Sequence, residues 1–181
     1  MADFSELEAW FTAYGSDVHN YLRYYSGKND VEDLVQDVFL KALKGLPSFE
    51  KRSSPKTWLF AIARRVAVDD GRKQFVAERL LQRATAADTA APLPTPTPED
   101  VLSAQEGQAE LYAAIRTLKR PHREVLLLRA LEEFTPQETA DILGWSKTRV
   151  NVTLHRALKA LRQAYDHMEG GVNSHVARKH G

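Results

Sequence analysis

The chain has 181 residues, 43% of them apolar, with 25 lysines and arginines against 24 aspartates and glutamates. That length admits one or two small domains with compact cores, and a net charge of +1, if evenly spread, argues against a nucleic-acid partner. There is no cysteine to form a disulfide or a thiolate metal site. The N-terminal MADFSELEAWF is not a signal peptide, and no run of about twenty apolar residues exists to span a bilayer. A cytoplasmic protein without membrane insertion is expected.

In chain order, residues 3–26 predict a first helix. Phe4, Leu7, Trp10, Phe11, Tyr14, Val18, Tyr21 and Leu22 recur three and four apart, the spacing of a core stripe. Ser26–Asn29 is a turn. Asp30–Leu46 predicts a second helix with Val31, Leu34, Val35, Val38 and Ala42 inward. Asp30, Glu32, Asp33 and Asp37 crowd its first half, where the helix dipole favours negative charge. With Gln36 they form an acidic and polar strip that suits a basic partner, although a merely solvated face fits those residues equally well.

Leu46–Lys56 predicts a short, polar, basic loop with one exposed aromatic, Phe49. A third helix follows from about Thr57 to Gln74, with Trp58, Leu59, Ile62, Ala63 and Val66 inward. A basic, serine-rich loop with an aromatic, beside a basic helix, suits single-stranded nucleic acid: bases stack or drop into loop pockets while cations hold the backbone. For Trp58 itself, core packing is the stronger reading. Composition then changes. Residues 84–107 include four prolines between Pro92 and Pro98, which no regular helix tolerates. They read as a flexible tether, with a helix restarting near Glu99.

A second domain begins near Gln108. Leu111, Ala114, Ile115 and Leu118 mark a short helix, and PHREVLLLRALEEF marks another. Thr135-Pro136 then supplies a cap and a first-turn proline, Ala140, Ile142 and Leu143 supply apolar positions, and Gly144 supplies a left-handed stop. Ser146 caps a last helix, Lys147 to about Arg162, whose inner face is Val150, Leu154, Ala157, Leu158 and Leu161. This is a helix-turn-helix. Residues 169–181 read as a disordered tail.

The charge proves unevenly placed. Residues 1–83 carry 13 basic and 12 acidic side chains, 84–107 carry none and 4, and 108–181 carry 12 and 8. The basic excess therefore accompanies the helix-turn-helix, and no acid occurs between Asp141 and Asp166. A helix presenting Lys, Arg, Asn and Thr at its start can reach base edges and phosphates in a major groove. For catalysis, the pair Asp33/Asp37 shares a helix face, but no histidine spacing, phosphate loop or nucleophile motif accompanies it. No catalytic residue, metal site or cofactor is assigned.

Three stretches in this order resemble a known family. DVEDLVQDVFLKA (30–42) is similar to the early part of the second conserved region of bacterial sigma factors, TWLFAIARRVAVDDGRK (57–73) to its later part, and Leu118–Arg162 to the fourth region. Two domains and a tether at this length resemble an extracytoplasmic-function (ECF) sigma factor. The fold implied is all-α, two small helical domains joined by a proline-rich linker: 1–83 as region 2, 84–107 as linker, 108–168 as region 4.

The resemblance implies that Asp30, Glu32, Asp33, Gln36 and Asp37 grip the β′ clamp helices of core RNA polymerase. It implies a −10 site of Phe49, Lys51, Arg52, Ser53, Ser54, Lys56, Trp58, Arg64, Arg65, Asp69 and Arg72. It implies a −35 reading set of Ser146, Lys147, Thr148, Arg149, Asn151, Thr153, Arg156 and Lys159, with Leu126–Leu131 near the β flap, and an anti-sigma factor as a further partner. Arg65 stands where the family usually has Asn, and Thr148-Arg149-Val150 where many members have Gly-Thr-Val, so the family's usual base preferences at −10 and −35 are not carried over to this chain. Gly71 replaces a larger apolar residue and is expected to loosen its helix. The acidic tether is expected to mimic nucleic acid inside the polymerase. A stand-alone helix-turn-helix regulator and a nuclease built on Asp33/Asp37 are the alternatives.

Overall fold

The computed structural model describes the backbone of residues 2–84 and 106–177, and among these there is no strand. The expected tether lies outside the described residues from 85 to 105, including the helix start near Glu99. Two helical units result, and each is taken by itself.

The first holds α1 (Ala2–Ser26), α2 (Glu32–Gly45), a 3₁₀ turn (Leu46–Ser48) and α3 (Pro55–Ala84). All three helices touch one another. Val18, Tyr21 and Leu22 of α1, Val38 and Ala42 of α2, and Leu59, Phe60, Ala63 and Val66 of α3 are buried between them. Each large side chain removed from water here contributes about 1.5–3 kcal/mol. Gly27, at φ 71°, supplies the left-handed turn after α1. Lys28 then pairs with Asp70 of α3 at 2.7 Å, and Gln74 donates to the same carboxylate, which ties that turn to the third helix.

Several expectations are corrected. Phe4 and Phe11 are not core residues; they stand 68% and 56% exposed. α2 starts at Glu32 rather than Asp30, with Val31 in the capping position and buried. Leu34 and Val35 are only half-buried, whereas Phe39, overlooked in the pattern, is buried. α3 starts two residues early, because Ser54 accepts from the Thr57 N–H at 3.1 Å and Pro55 fits the first turn. It also runs to Ala84 instead of stopping near Gln74. Gly71 costs a helix only about 1 kcal/mol relative to alanine, and Lys73, Gln74, Ala77, Glu78, Leu80 and Leu81 after it are good helix formers.

The second unit holds α4 (Glu106–Thr117), α5 (Arg120–Leu126) continued by a π-helical turn (Leu127–Leu131), α6 (Pro136–Leu143) and α7 (Lys147–Ala177). α7 packs on α4 and α5. Buried residues include Ala114 and Ile115 of α4, Val125–Leu128, Phe134, and Val150 and Ala157 of α7. Glu124 is buried as well and accepts from Arg120 Nε at 3.2 Å, so its charge is not left alone. α7 passes through Gly170-Gly171 to Ala177, so the expected tail is helical over its first part, and 178–181 lie outside the described residues. Leu158, assigned to the inner face, is 51% exposed. It lies about 80° around the helix from Val150, off the stripe held by Val150 and Ala157.

Candidate nucleic-acid and partner interfaces

The acidic strip forms around the start of α2. Asp30, Glu32, Asp33 and Gln36 are exposed and Asp37 is half-exposed, paired with Lys41 at 2.8 Å. Asp30 lies just before the helix, where its carboxylate accepts the Glu32 N–H at 3.4 Å. Glu32 in turn accepts the Val31 N–H at 3.0 Å and meets His19 Nε2 of α1 at 3.4 Å. The hydrogen bond shared with Asp30 is the main reason the Glu32 carboxyl is held down to about 2, helped by its own N–H and by His19. The same shared bond pushes Asp30 up. The strip therefore keeps its glutamate ionised under nearly all conditions.

Beside the strip runs a groove of about 900 Å³ between α1 and α2. Leu7, Phe11, Val35, Phe39, Leu40 and Leu43 make its apolar lining, and His19, Glu32 and Gln36 are polar members. Phe11 and Phe39 meet edge-on with ring centres 4.9 Å apart. Reading only the core-facing periodicity missed this groove. The available signal was Leu40, an apolar residue that falls off the inner stripe of α2.

The expected −10 residues divide. Phe49 is half-buried, not exposed: its ring lies 4.9 Å from Trp58 and 5.6 Å from Trp10, which is itself buried. This aromatic group backs the loop. In front of it Lys51, at φ 55°, Arg52 and Ser54 are exposed and Ser53 half-exposed; Arg52 pairs with Glu50 at 2.6 Å. Lys56 belongs to the first turn of α3, where it pairs with Asp17 of α1 at 2.9 Å and sits over Phe60, so it secures the helix start as well as offering a cation. Trp58 and Arg64 are half-buried, while Arg65, Asp69 and Arg72 are exposed along α3.

The helix-turn-helix is built as its residues dictate. Thr135 Oγ1 accepts the Glu138 N–H at 3.2 Å while Glu138 accepts the Thr135 N–H at 2.8 Å, a reciprocal capping box. Gly144 adopts φ 67°, and Ser146 caps α7 by accepting the Arg149 N–H at 3.2 Å. Arg129 reaches the Phe134 carbonyl, fixing the approach to α6. Ser146, Lys147, Thr148, Arg149, Asn151, Arg156 and Lys159 are exposed and Thr153 is half-buried. The Arg149 guanidinium stacks 4.0 Å over Trp145, a ring the sequence reading did not use. Among the described residues no group of three acids or histidines is placed to hold a metal.

Comparison with known proteins matches these two units to two family models: Sigma-70 region 2 over residues 10–75 and Sigma-70, region 4 over residues 108–161. The chain is 38% identical over 161 residues to the ECF RNA polymerase sigma factor SigX of Bacillus subtilis, covering 88% of this chain and 81% of that one. It belongs to the ECF group of the sigma-70 family. It is also 37% identical over 166 residues to the RNA polymerase sigma factor YlaC of the same organism, with 87% and 90% covered. Among solved structures, the sigma factor RpoE in complex with the anti-sigma factor NepR from Bartonella quintana shares the fold, at a TM-score of 0.71 and 23% identity over 89% of this chain and 97% of that one. CnrH in complex with the cytosolic domain of CnrY does so at 0.63 and 20%, covering 88% and 87%. The protein is thus an RNA polymerase sigma factor, a transcription initiation factor that works with the core enzyme and promoter DNA. The region 2 match takes in the acidic strip, the groove lining apart from Leu7, and the aromatic-backed loop; the region 4 match takes in the reading face of α7.

Proposed function

We propose how the sigma-factor work is divided among these residues. Asp30, Glu32, Asp33, Gln36 and Asp37 dock the β′ clamp helices of core polymerase. The loop from Phe49 to Ser54, with Lys56, Trp58, Arg64, Arg65, Asp69 and Arg72, receives an extruded base of the −10 element and holds the strand around it. The exposed start of α7, Ser146 to Lys159, reads the −35 element in the major groove. The observation that carries this reading is the Trp10/Phe49/Trp58 cluster behind a cationic loop, which pairs aromatic rings with cations as the binding of an unstacked base and its strand requires. Unstacking costs a few kcal/mol, which contacts to the base and the flanking phosphates must offset.

The groove beside the acidic strip suits an amphipathic helix. The solved RpoE structure named above is a complex with the anti-sigma factor NepR, and we infer that the groove of this chain takes a partner of that kind: a helix laid there covers Glu32 and Gln36 and blocks the polymerase. The protein performs no bond chemistry of its own, takes no cofactor and acts in the cytoplasm; among the described residues no helix is long and apolar enough to cross a membrane. Run-off transcription with core polymerase and a randomised promoter library tests the whole assignment. Enrichment of two short boxes at fixed spacing is the expected result. Tight binding to a duplex operator without polymerase, with no transcription, would overturn it.

A further inference from the structure

The region 2 match ends at residue 75, yet α3 continues to Ala84. Along the whole helix a repeat is visible: Trp58, Arg65, Arg72 and Arg79 follow at intervals of seven, and Arg83 comes four later. Seven residues are just under two helical turns, so each step drifts only about 20°. Arg65, Arg72, Arg79 and Arg83 therefore share one face, and all four are exposed. Between Gly71 and Ala84 the only acid is Glu78, which points about 100–140° away from each of these arginines. Neither Arg79 nor Arg83 has an acidic partner among the described residues. The Arg79 guanidinium lies 5.1 Å over the ring of Phe75, itself exposed, which restrains the side chain while leaving its charge available.

We infer that this extension of α3 is a third DNA contact, independent of sequence, in which Arg79 and Arg83 bind backbone phosphates of the duplex just upstream of the −10 element. The inference rests on the −10 assignment of Arg65 and Arg72 above. From Arg65, the rise of the helix carries Arg79 about 21 Å and Arg83 about 27 Å further. At about 3.4 Å per base pair, that reaches six to eight pairs of double helix. The extended helix thus holds the spacer DNA while the loop handles the opened strand.

The test uses the full chain assembled with core polymerase and two fork-junction probes, both lacking a −35 element. One probe ends at the upstream edge of the −10 box and the other carries about ten more base pairs. Two phosphate contacts make the long probe's advantage fall roughly tenfold when salt rises from 50 to 200 mM. The double variant Arg79→Ala/Arg83→Ala, which keeps good helix formers, should lose both the advantage and its salt dependence with unchanged helical circular dichroism. Arg79→Lys/Arg83→Lys should keep them. A double alanine variant that retains the advantage, or that weakens core binding without DNA, overturns the inference. Arg65→Ala should weaken both probes equally; if it weakens neither, the −10 assignment fails instead.

Discussion

Gly45, the last residue of α2, lies flat against the indole of Trp58, where an added Cβ would meet the ring at 3.1 Å. Two effects oppose each other on substitution. Alanine gains about 1 kcal/mol of helix propensity over glycine, while the ring must retreat by a few tenths of an ångström. Gly45→Ala should leave urea stability within about 1 kcal/mol of the parent, whereas Gly45→Val, which cannot be absorbed by so small a movement, should cost about 1–3 kcal/mol. Both should shift tryptophan fluorescence and weaken −10 opening more than they weaken core binding, because Trp58 supports Phe49. An unchanged emission spectrum in Gly45→Val would refute the contact.

The Asp30–Glu32 pair gives a pH prediction. Folding lowers the Glu32 value, so its contribution is present above the ordinary glutamate range and is lost as pH falls through about 2. Asp30, pushed up, works in the opposite sense: its contribution is present below the ordinary aspartate range and is lost as pH rises through its folded value. Asp30→Asn removes the shared proton, and the Glu32 carboxyl, followed by carbon-detected NMR titration, should move up toward the ordinary glutamate range. A value still near 2 in that variant would assign the effect to His19 and the helix N–H groups.

Asp33 is exposed at the first turn of α2 with no core role. Asp33→Lys should reduce affinity for core polymerase about tenfold or more, since a like charge at a desolvated charged contact costs several kcal/mol, while the unit still folds and loses only the roughly 0.3–1 kcal/mol that a charge at a helix start contributes. Equal affinity would remove Asp33 from the docking strip.

Thr135→Ala should destabilise the second unit by about 1 kcal/mol, the usual cost of a lost cap. The measurement is chemical denaturation of the full chain followed through the signal of Trp145. A drop below about 0.3 kcal/mol would mean that Glu138 alone satisfies the helix start.

In α7, Asn151→Ala should relax selectivity at one position of the −35 element by about 1–3 kcal/mol. Lys159→Ala should weaken all sequences alike and lower the salt slope by about one. Selection from a −35 library separates the two, and loss of the same base preference in both variants would contradict it.

The helix-turn-helix was legible almost to the residue, because Thr135, Pro136, Gly144 and Ser146 act within one turn of chain and need no distant partner. The −10 and polymerase candidates were legible only as members of a pattern. That Phe49 sits on Trp10, or that Lys56 pairs with Asp17, depends on where α1 passes, which local spacing does not encode. The ends of α3 and α7 were misread for the same reason in reverse. Gly71 was expected to loosen its helix, but it costs less than Lys73, Gln74, Ala77, Glu78, Leu80 and Leu81 return along a helix already nucleated, and the glycine-containing stretch after Met168, read as a disordered tail, continues α7 to Ala177. Phe4, Phe11 and Leu158 show the remaining limit: periodicity says which side a residue is on, not whether a neighbour exists there.

The wide turn at Leu127–Leu131 carries the Glu132 N–H to the Leu127 carbonyl, five residues back, and the Phe134 N–H to the Leu128 carbonyl, six back. Such a bulge is an ordinary helix with one residue too many. Deleting that surplus residue would close the coil neatly and yet swing everything after it by about 100°, so that Thr135 would begin its helix in the wrong direction. The length of this segment is consequently a setting for aim, and tolerance to insertion or deletion there should be far lower than its modest sequence demands suggest.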